Sequence, residues 1–174
     1  YEVTGKIGSK IEIPESDTLK PQKMTLNAWV YLSKVGGDEP WVILAADHSF
    51  QWAIDNTGKL GARNFFGLNT GGFGKWKNLQ YKERIPAGKW FMYTATYDGI
   101  TMKQYLNSSE VCSLPFSGAV PYGFRYQKEF MVIGTPSSRG QFRNNMSIKL
   151  DDVRIYDRAL AGEEIKALYE MEKP

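Results

Sequence analysis

Apolar and polar residues alternate along several short stretches of the chain, most clearly from Met24 to Leu32. The even positions of this stretch are Met, Leu, Ala, Val and Leu, whereas the odd positions between them are Thr, Asn, Trp and Tyr. Side chains alternate between the two faces of a β-strand. The pattern therefore predicts a strand with one aliphatic face and one aromatic and polar face.

Similar runs predict further strands at 42–45, 50–55, 59–63, 90–97, 102–107, 130–134 and 148–156. Asp98-Gly99 is a strong hairpin signal, and Asn56-Thr57-Gly58 is a second turn signal. The span 64–77 holds four Gly and four aromatic residues without a steady period. We predict a long loop there, of the kind that often carries function.

The end of the chain is the one stretch with a helical pattern. Ile165, Leu168 and Tyr169 recur at helical spacing, and Glu163 and Glu164 lie in the first turn, where the helix dipole favours acids. We predict a short amphipathic helix from Gly162 that covers an edge or seam of a sheet.

The composition narrows the class of protein. A length of 174 residues is typical of one domain, so we treat 1–174 as a single domain. A single cysteine excludes a disulfide-stapled fold and a cysteine zinc site. An aromatic content of 14% with 17 Gly favours a β-rich fold. The net charge of +3 is spread without long basic runs, which gives little support to nucleic-acid binding, and no apolar run approaches the length of a membrane span.

Several motifs together resemble the laminin-G-like, concanavalin-A-type jelly-roll superfamily. They are Ile11-Glu12-Ile13-Pro14, 24–30, 85–90, Thr94-Ala95-Thr96-Tyr97-Asp98-Gly99, Tyr105-Leu106-Asn107 and 150–160 followed by Glu163-Glu164-Ile165. The resemblance implies an all-β fold, a two-sheet antiparallel jelly-roll sandwich with a short C-terminal helix. It also implies an accessory module of a secreted or surface protein, often one that binds glycans. The polar helix-capping residue of the family is replaced by Ala161, which has no side-chain acceptor.

The residues that would carry catalysis in such a fold are missing. Glycan-cleaving relatives hold paired carboxylates on one strand in a Glu-x-Asp-x-x-Glu pattern, and lyase relatives hold Gln-x-His with a Tyr. Neither pattern occurs, and the lone histidine, His48, stands between Asp47 and Ser49. We therefore predict a protein that is not an enzyme, with an unrecognised glycosidase or lyase as a remaining alternative.

Aromatic rings beside Arg, Asn and Gln suit sugar recognition, because rings cover the apolar sugar face while planar polar groups bond its hydroxyls. Arginine pairs also suit an acidic sugar. The strand aromatics Trp29, Trp52, Trp90 and Tyr105 are expected in the core, whereas Phe66, Phe73, Trp76 and Tyr126 are open between core and ligand surface. The candidate ligand-binding residues are Gln51, Arg63, Asn64, Phe66, Trp76, Arg125, Tyr126, Arg139 and Arg143.

Asp151 is a candidate calcium ligand. It shares strand parity with Val153 and Ile155, which we expect to face inward, and a buried carboxylate needs a cation or hydrogen bonds. Related modules hold a structural Ca²⁺ at such a position with oxygens from the N-terminal turn, although that turn lacks acids here. Hydrogen bonds from backbone N–H groups to Asp151 are the preferred alternative.

The leading hypothesis from the sequence is a non-catalytic module that binds a poly- or oligosaccharide, within a larger extracellular or cell-surface protein. The alternative is a protein-interaction or structural domain, as in an adhesin, a viral or phage fibre or a laminin-like array.

Overall fold

The computed structural model describes residues 2–4, 10–35, 41–46, 49–55, 62–71, 75–123, 131–134 and 147–173. These residues form twelve strands, one 3-10 turn and one α-helix. The strands are β1 (Glu2–Thr4), β2 (Lys10–Ile13), β3 (Met24–Leu32), β4 (Trp41–Ala46), β5 (Phe50–Asp55), β6 (Arg63–Asn69), β7 (Trp76–Gln80), β8 (Trp90–Tyr97), β9 (Thr101–Leu106), β10 (Ser109–Pro115), β11 (Met131–Gly134) and β12 (Ser147–Tyr156). The 3-10 turn is Asp17–Leu19, and the helix α1 is Gly162–Glu172.

The strands form two antiparallel six-stranded sheets. Sheet A has the order β1-β12-β3-β8-β9-β10, and sheet B has the order β2-β11-β4-β5-β6-β7. The two sheets pack face to face as a jelly-roll sandwich with a C-terminal helix, which confirms the predicted fold class.

The core lies between the sheets and is built from the aliphatic face of β3. Met24, Leu26 and Val30 are fully buried there, together with Trp52 and Phe66 from sheet B. Burying a side chain of this size stabilises the fold by about 1.5–3 kcal/mol. Alternation along β3 therefore decides which face of sheet A meets sheet B.

The hairpin predicted at Asp98-Gly99 joins β8 to β9. The Asp98 carboxylate accepts backbone N–H bonds from Ile100 at 2.9 Å and Thr101 at 2.7 Å, and Gly99 has a φ of 96°. A positive φ at this position is available to glycine at little steric cost. The turn signal at 56–58 lies outside the described residues.

The predicted bounds of β3, β5 and β8 agree with the structure, but two neighbouring predictions are wrong. The predicted loop 64–77 contains most of β6 and the start of β7, which pair as a hairpin with Phe66 opposite Leu79. Of the predicted strand 59–63, the structure describes only Ala62 and Arg63. Ala62 lies in no strand, and β6 begins at Arg63, where the prediction ends. In β6, buried and outward residues alternate, but the adjacent Phe65, Phe66 and Gly67 conceal this alternation in the sequence.

Helix α1 begins where predicted and lies over the outer face of sheet A, where it contacts Trp29 on β3 and the edge strand β10. Ile165 is fully buried, and the Tyr169 ring stacks on Trp29 with 5.7 Å between ring centroids. Ala161 offers no side-chain cap, and the Glu164 carboxylate accepts the Ala161 N–H at 2.8 Å instead. The helix thus builds a second small core on sheet A.

Candidate ligand-binding face

The outer face of sheet A is closed by helix α1 and the chain that leads into it. Trp29 and Tyr105 are only 5% and 6% exposed beneath the helix, although both point away from the main core. The Thr25 hydroxyl donates to the Arg158 carbonyl oxygen and accepts the Leu160 N–H, both at 2.8 Å. Helix α1 and the segment before it therefore cover the outer positions of β3 and β9. On the outer face of sheet B, Val42, Ala53 and Val132 are buried, whereas the positions on β6 and β7 are more exposed.

Strand pairing places a row of small and polar groups across the outer face of sheet B. Gln51 on β5 lies opposite Gly67 on β6, and Gly67 lies opposite Asn78 on β7. Neighbouring strands are about 4.8 Å apart, so Gln51 and Asn78 flank Gly67 at a separation of about 10 Å. Gln51 is half-buried and Asn78 is exposed, so both amides are open to a ligand.

A side chain at Gly67 would displace its neighbours in this row. A Cβ atom there would lie 2.8 Å from Asn78 Oδ1 and 3.1 Å from the Phe65 ring. Since real Cβ contacts are longer, the Asn78 amide and the Phe65 ring close over the glycine backbone. Gly67 therefore lets an aromatic ring and an amide meet on a flat sheet surface.

A second polar group lies beside the ring. The Gln80 amide donates to Asp55 Oδ2, and Gln80 lies opposite Phe65 in the strand register. Asp55 lies opposite Arg63, so the guanidinium of Arg63 projects from the same face as this carboxylate. The charges of Asp55 and Arg63 offset each other, and the hydrogen bond fixes the orientation of the Gln80 amide.

The structure brings three of the predicted ligand-binding residues onto one surface. Gln51, Arg63 and Trp76 are all half-buried, and register places all three on the outer face of sheet B, with Trp76 opposite Asn69. Sheet order puts them on three adjacent strands, β5, β6 and β7.

Asn64 and Phe66 are wrong as candidates for this face. Both are 0% exposed, because Asn64, Phe66 and Leu68 form the inward side of β6. Both side-chain polar atoms of Asn64 are buried without a hydrogen-bond partner among the described residues. The alternation of β6 thus assigns the even positions to the core. Arg125, Tyr126, Arg139 and Arg143 lie outside the described residues, as do Phe73 and His48.

Asp151 does not face inward as predicted. It is exposed, because a β-bulge between Asp151 and Arg154 changes the parity of β12, with Asp152 at a φ of 49°. Its Oδ1 accepts the Asp152 N–H at 3.0 Å, in line with the alternative of a backbone bond. The bulge explains why counting alternate positions failed.

The described residues near Asp151 do not fit a calcium ion, which takes 6–8 oxygen ligands. Thr4, where the N-terminal turn begins, pairs with Ser147, four residues and about 13 Å along β12 from Asp151. In the described part of the chain, no three His, Cys, Asp or Glu side chains are close enough to hold a metal ion. Calcium binding stays a prediction from the resemblance.

Sequence reasoning missed Phe65, Asn78, Gln80 and Asp55 as members of the face. The signal was present in β7, where Trp76, Asn78 and Gln80 alternate with Lys77 and Leu79. Side chains alternate along a strand, so the side that carries Leu79 faces the core and the side that carries Trp76, Asn78 and Gln80 faces outward. Reading 64–77 as a loop hid this pattern.

The two described acids of the face, Glu12 and Asp55, are too far apart to act as a catalytic pair in glycoside hydrolysis. Register puts Glu12 on the same face as Asp55, but three strands away and four residues along, which corresponds to about 20 Å. Paired-carboxylate mechanisms need about 5–9.5 Å. Glu12 is also engaged with Lys10 at 2.6 Å. The described face therefore suits binding of a polyhydroxylated ligand better than its cleavage.

The structure resembles several solved binding domains. The binding domain of Paraclostridial Mosquitocidal Protein 1 matches with 14% identity and a TM-score of 0.73, over 98% of this chain and 42% of that one. A structure concerning botulinum neurotoxin type C matches with 15% identity and a TM-score of 0.68, over 93% and 39%. The binding domain of botulinum neurotoxin DC in complex with SialylT matches with 11% identity and a TM-score of 0.73, over 98% and 41%. This chain spans about two fifths of the length of each, and the likeness shows a shared fold.

No curated protein is significantly similar to the chain in sequence. Within the described residues, the α-helix has 11 residues, and no helix is long and apolar enough to cross a membrane. The family described as the concanavalin A-like lectin/glucanases superfamily matches residues 4–166, which is nearly the whole chain. The chain therefore belongs to the concanavalin A-like lectin/glucanase superfamily.

Proposed function

We propose that the chain is a non-catalytic glycan-binding module that binds a poly- or oligosaccharide on the outer face of sheet B. The observation that carries the proposal is the shared face of Gln51, Arg63 and Trp76 on three adjacent strands, with Asn78 and Gln80 beside them. Binding sites combine apolar and aromatic surface with a few placed polar groups. This face has both kinds of group on three adjacent strands, with about 20 Å along the strands between Arg63 at one end and Trp76 at the other.

The chemistry of the face matches a sugar ring. The half-buried rings of Phe65 and Trp76 offer apolar surface to the C–H face of a sugar, and both are held by strand backbone. The amides of Gln51 and Asn78 can each donate and accept hydrogen bonds, as hydroxyl groups require. Because these groups lie on paired strands, a ligand meets a surface that is already ordered, and less entropy is lost on binding.

The neighbours with known folds support this reading. One is described as a neurotoxin whose cell entry depends on interaction with two ganglioside molecules, and another was solved in complex with SialylT. Their chains are more than twice as long as this one. We propose by analogy that this chain works as one module of a larger extracellular or cell-surface protein.

A glycan array followed by calorimetry on the best ligand tests the proposal. Trp76→Ala removes a ring from the face, and we expect at least a fivefold loss of affinity, since truncation of a contact aromatic costs more than about 1 kcal/mol. Asn78→Ala should weaken binding by a similar factor. Tyr31→Ala is the matched control, because Tyr31 is a half-buried aromatic on sheet A whose ring packs at a tilt against Trp90.

Two outcomes would contradict the proposal. The first is a folded wild-type protein that binds no glycan on the array. The second is an equal loss of affinity in Tyr31→Ala and Trp76→Ala, which would place the ligand away from the outer face of sheet B. Release of reducing sugar from the bound glycan would contradict the non-catalytic part and favour an unrecognised hydrolase.

A further inference from the structure

One short segment of the described chain is rich in cations. Residues 75–89 contain five of the 22 Lys and Arg and one of the 19 Asp and Glu. The remaining 17 basic and 18 acidic residues give the rest of the chain a net charge of −1. The segment itself has a net charge of +4. We call its five cations the basic stripe: Lys75, Lys77, Lys82, Arg84 and Lys89.

All five cations of the basic stripe are exposed, and none is paired with a carboxylate of the described residues. Each side chain is exposed to solvent. Among the described residues, no carboxylate lies within 4.0 Å of any of the five charged groups. Lys20, Lys103 and Arg158 form ion pairs, whereas Lys23, Lys149 and Lys166, which are exposed elsewhere, form none among the described residues. The one acid of the segment, Glu83, accepts a hydrogen bond from Tyr81 at 3.0 Å. The stripe thus presents a positive field with little local neutralisation.

Backbone hydrogen bonds fix the connection 81–89, which joins β7 of sheet B to β8 of sheet A. Tyr81 N–H donates to the Asn64 carbonyl at 3.0 Å, Ile85 N–H to Ala62 at 2.9 Å and Gly88 N–H to Leu32 at 2.9 Å. The Ile85 side chain is 2% exposed and anchors the segment in the core. The cations are therefore held along a defined path, from the edge strand β7 around to the start of β8.

The path suits a linear ligand. Strand β7 is the outermost strand of sheet B, and its five residues extend about 16 Å, with Lys75 at one end and Lys82 beyond the other. The outer edge of such a strand also presents backbone N–H groups. Among the described residues, the large apolar side chains that are exposed are Ile11, Val35, Ile100 and Met171. None of them belongs to this segment, which argues against insertion into a membrane surface.

We propose that the basic stripe binds an acidic polysaccharide, one with sulfate or carboxylate groups along its length. The chain of anions would follow β7 and the connection 81–89, where Lys and Arg contact the charged groups. This surface is separate from the amides and rings on the outer face of sheet B. The proposal therefore does not depend on what that face binds.

Binding of dextran sulfate, with uncharged dextran as the matched polymer, tests the proposal. The stripe variant Lys77→Gln/Lys82→Gln/Arg84→Gln removes three cations, and the control variant Lys23→Gln/Lys149→Gln/Lys166→Gln removes three exposed cations elsewhere. Both variants have the same net charge, so a difference between them reports position. We expect the stripe variant to bind dextran sulfate roughly tenfold more weakly, from three contacts of about 0.5 kcal/mol each. The control variant should stay within about twofold of wild type.

The salt dependence gives a second readout. Affinity of wild type should fall between about 50 and 200 mM salt with a slope that is shallower in the stripe variant, because fewer counterions are released. Thermal unfolding of both variants checks that they fold. Equal weakening by the two variants, or equal binding of dextran and dextran sulfate, would overturn the proposal. So would stripe-dependent binding to vesicles of phosphatidylcholine and phosphatidylserine without binding to dextran sulfate.

The test of the basic stripe is independent of the test of the outer face of sheet B. Trp76→Ala tests the face with the array ligand, and the stripe variant tests the edge with dextran sulfate. If the stripe variant binds dextran sulfate as well as wild type does, the proposal for the basic stripe is wrong and the array result still stands. If the array shows no neutral ligand, the proposal for the outer face of sheet B is wrong and the dextran sulfate result still stands.

Discussion

Replacing Thr25 by Val should loosen the attachment of helix α1 to sheet A. The two side chains have nearly the same shape, but Val lacks the hydroxyl that donates to the Arg158 carbonyl and accepts the Leu160 N–H. Thr25 is 0% exposed and Leu160 is 7% exposed, so the Leu160 N–H loses its partner in a buried place. An unsatisfied buried group costs about 1–3 kcal/mol, while the Arg158 carbonyl lies in a part-buried position where water can reach it.

We therefore expect Thr25→Val to lower the free energy of unfolding by about 2 kcal/mol. For a domain of this size that corresponds to a fall in Tm of roughly 4–8 °C. Urea denaturation measures the first quantity and calorimetry the second. Hydrogen exchange should show faster exchange of the Ile165 amide, whose backbone bond to Ala161 begins the helix at 3.0 Å.

Thr101→Val is the matched control for this prediction. Thr101 is half-buried at the start of β9, and its hydroxyl has no hydrogen-bond partner among the described residues. The change should alter stability by less than about 0.5 kcal/mol, as is usual for surface positions. If Thr25→Val is as mild as Thr101→Val, the two hydroxyl bonds do not hold the helix and the reasoning is refuted.

Three further changes have definite expected outcomes. Gly67→Ala should leave Tm nearly unchanged but weaken glycan binding, because the new methyl displaces the Asn78 amide; unchanged affinity in calorimetry would move the ligand off this row. The Arg158 guanidinium, bonded to Glu164 at 2.7 and 2.8 Å, lowers the pKa of that carboxyl from 4.5 to about 2. Wild type should therefore lose stability between about pH 4.5 and 2, as this carboxylate takes up its proton, and Glu164→Gln should lack that part of the loss in acid titrations. Burial raises the pKa of the Cys112 thiol to about 11, so iodoacetamide at pH 8 should alkylate the folded protein roughly a hundredfold more slowly than the unfolded chain; equal rates would show an accessible thiolate.

The sequence pattern alone predicts β3 and β8 with their observed bounds. In both strands one face carries apolar or aromatic side chains at every position, and residues such as Leu26 and Tyr93 on that face are fully buried. The resemblance carried by the motifs likewise predicts the two-sheet sandwich. The helix start at Gly162 follows from local signals, since the acids and apolar spacing act within one turn.

The hairpin of β6 and β7 is the main failure of the sequence pattern. Phe65 and Phe66 are adjacent and equally apolar, so composition cannot say which of them enters the core. Pairing with β5 decides it, because Phe66 lies opposite the buried Trp52 while Phe65 lies opposite Ala53. The bulge at Asp152 had the same effect on β12, where one extra residue reversed the expected orientation of Asp151.

The sequence by itself determined that this protein is an all-β sandwich, which face of β3 lines its main core, and which kinds of group are available for sugar binding. Only the tertiary structure decided that Asn64 and Phe66 are buried and that the outer face of β3 is covered. The odd positions of β3 carry aromatic and polar groups that would suit a ligand face, yet α1 packs over them through Tyr169 and Ile165. Covering one sheet by a helix is a long-range contact, set by buried area between segments over a hundred residues apart, and no local pattern records it.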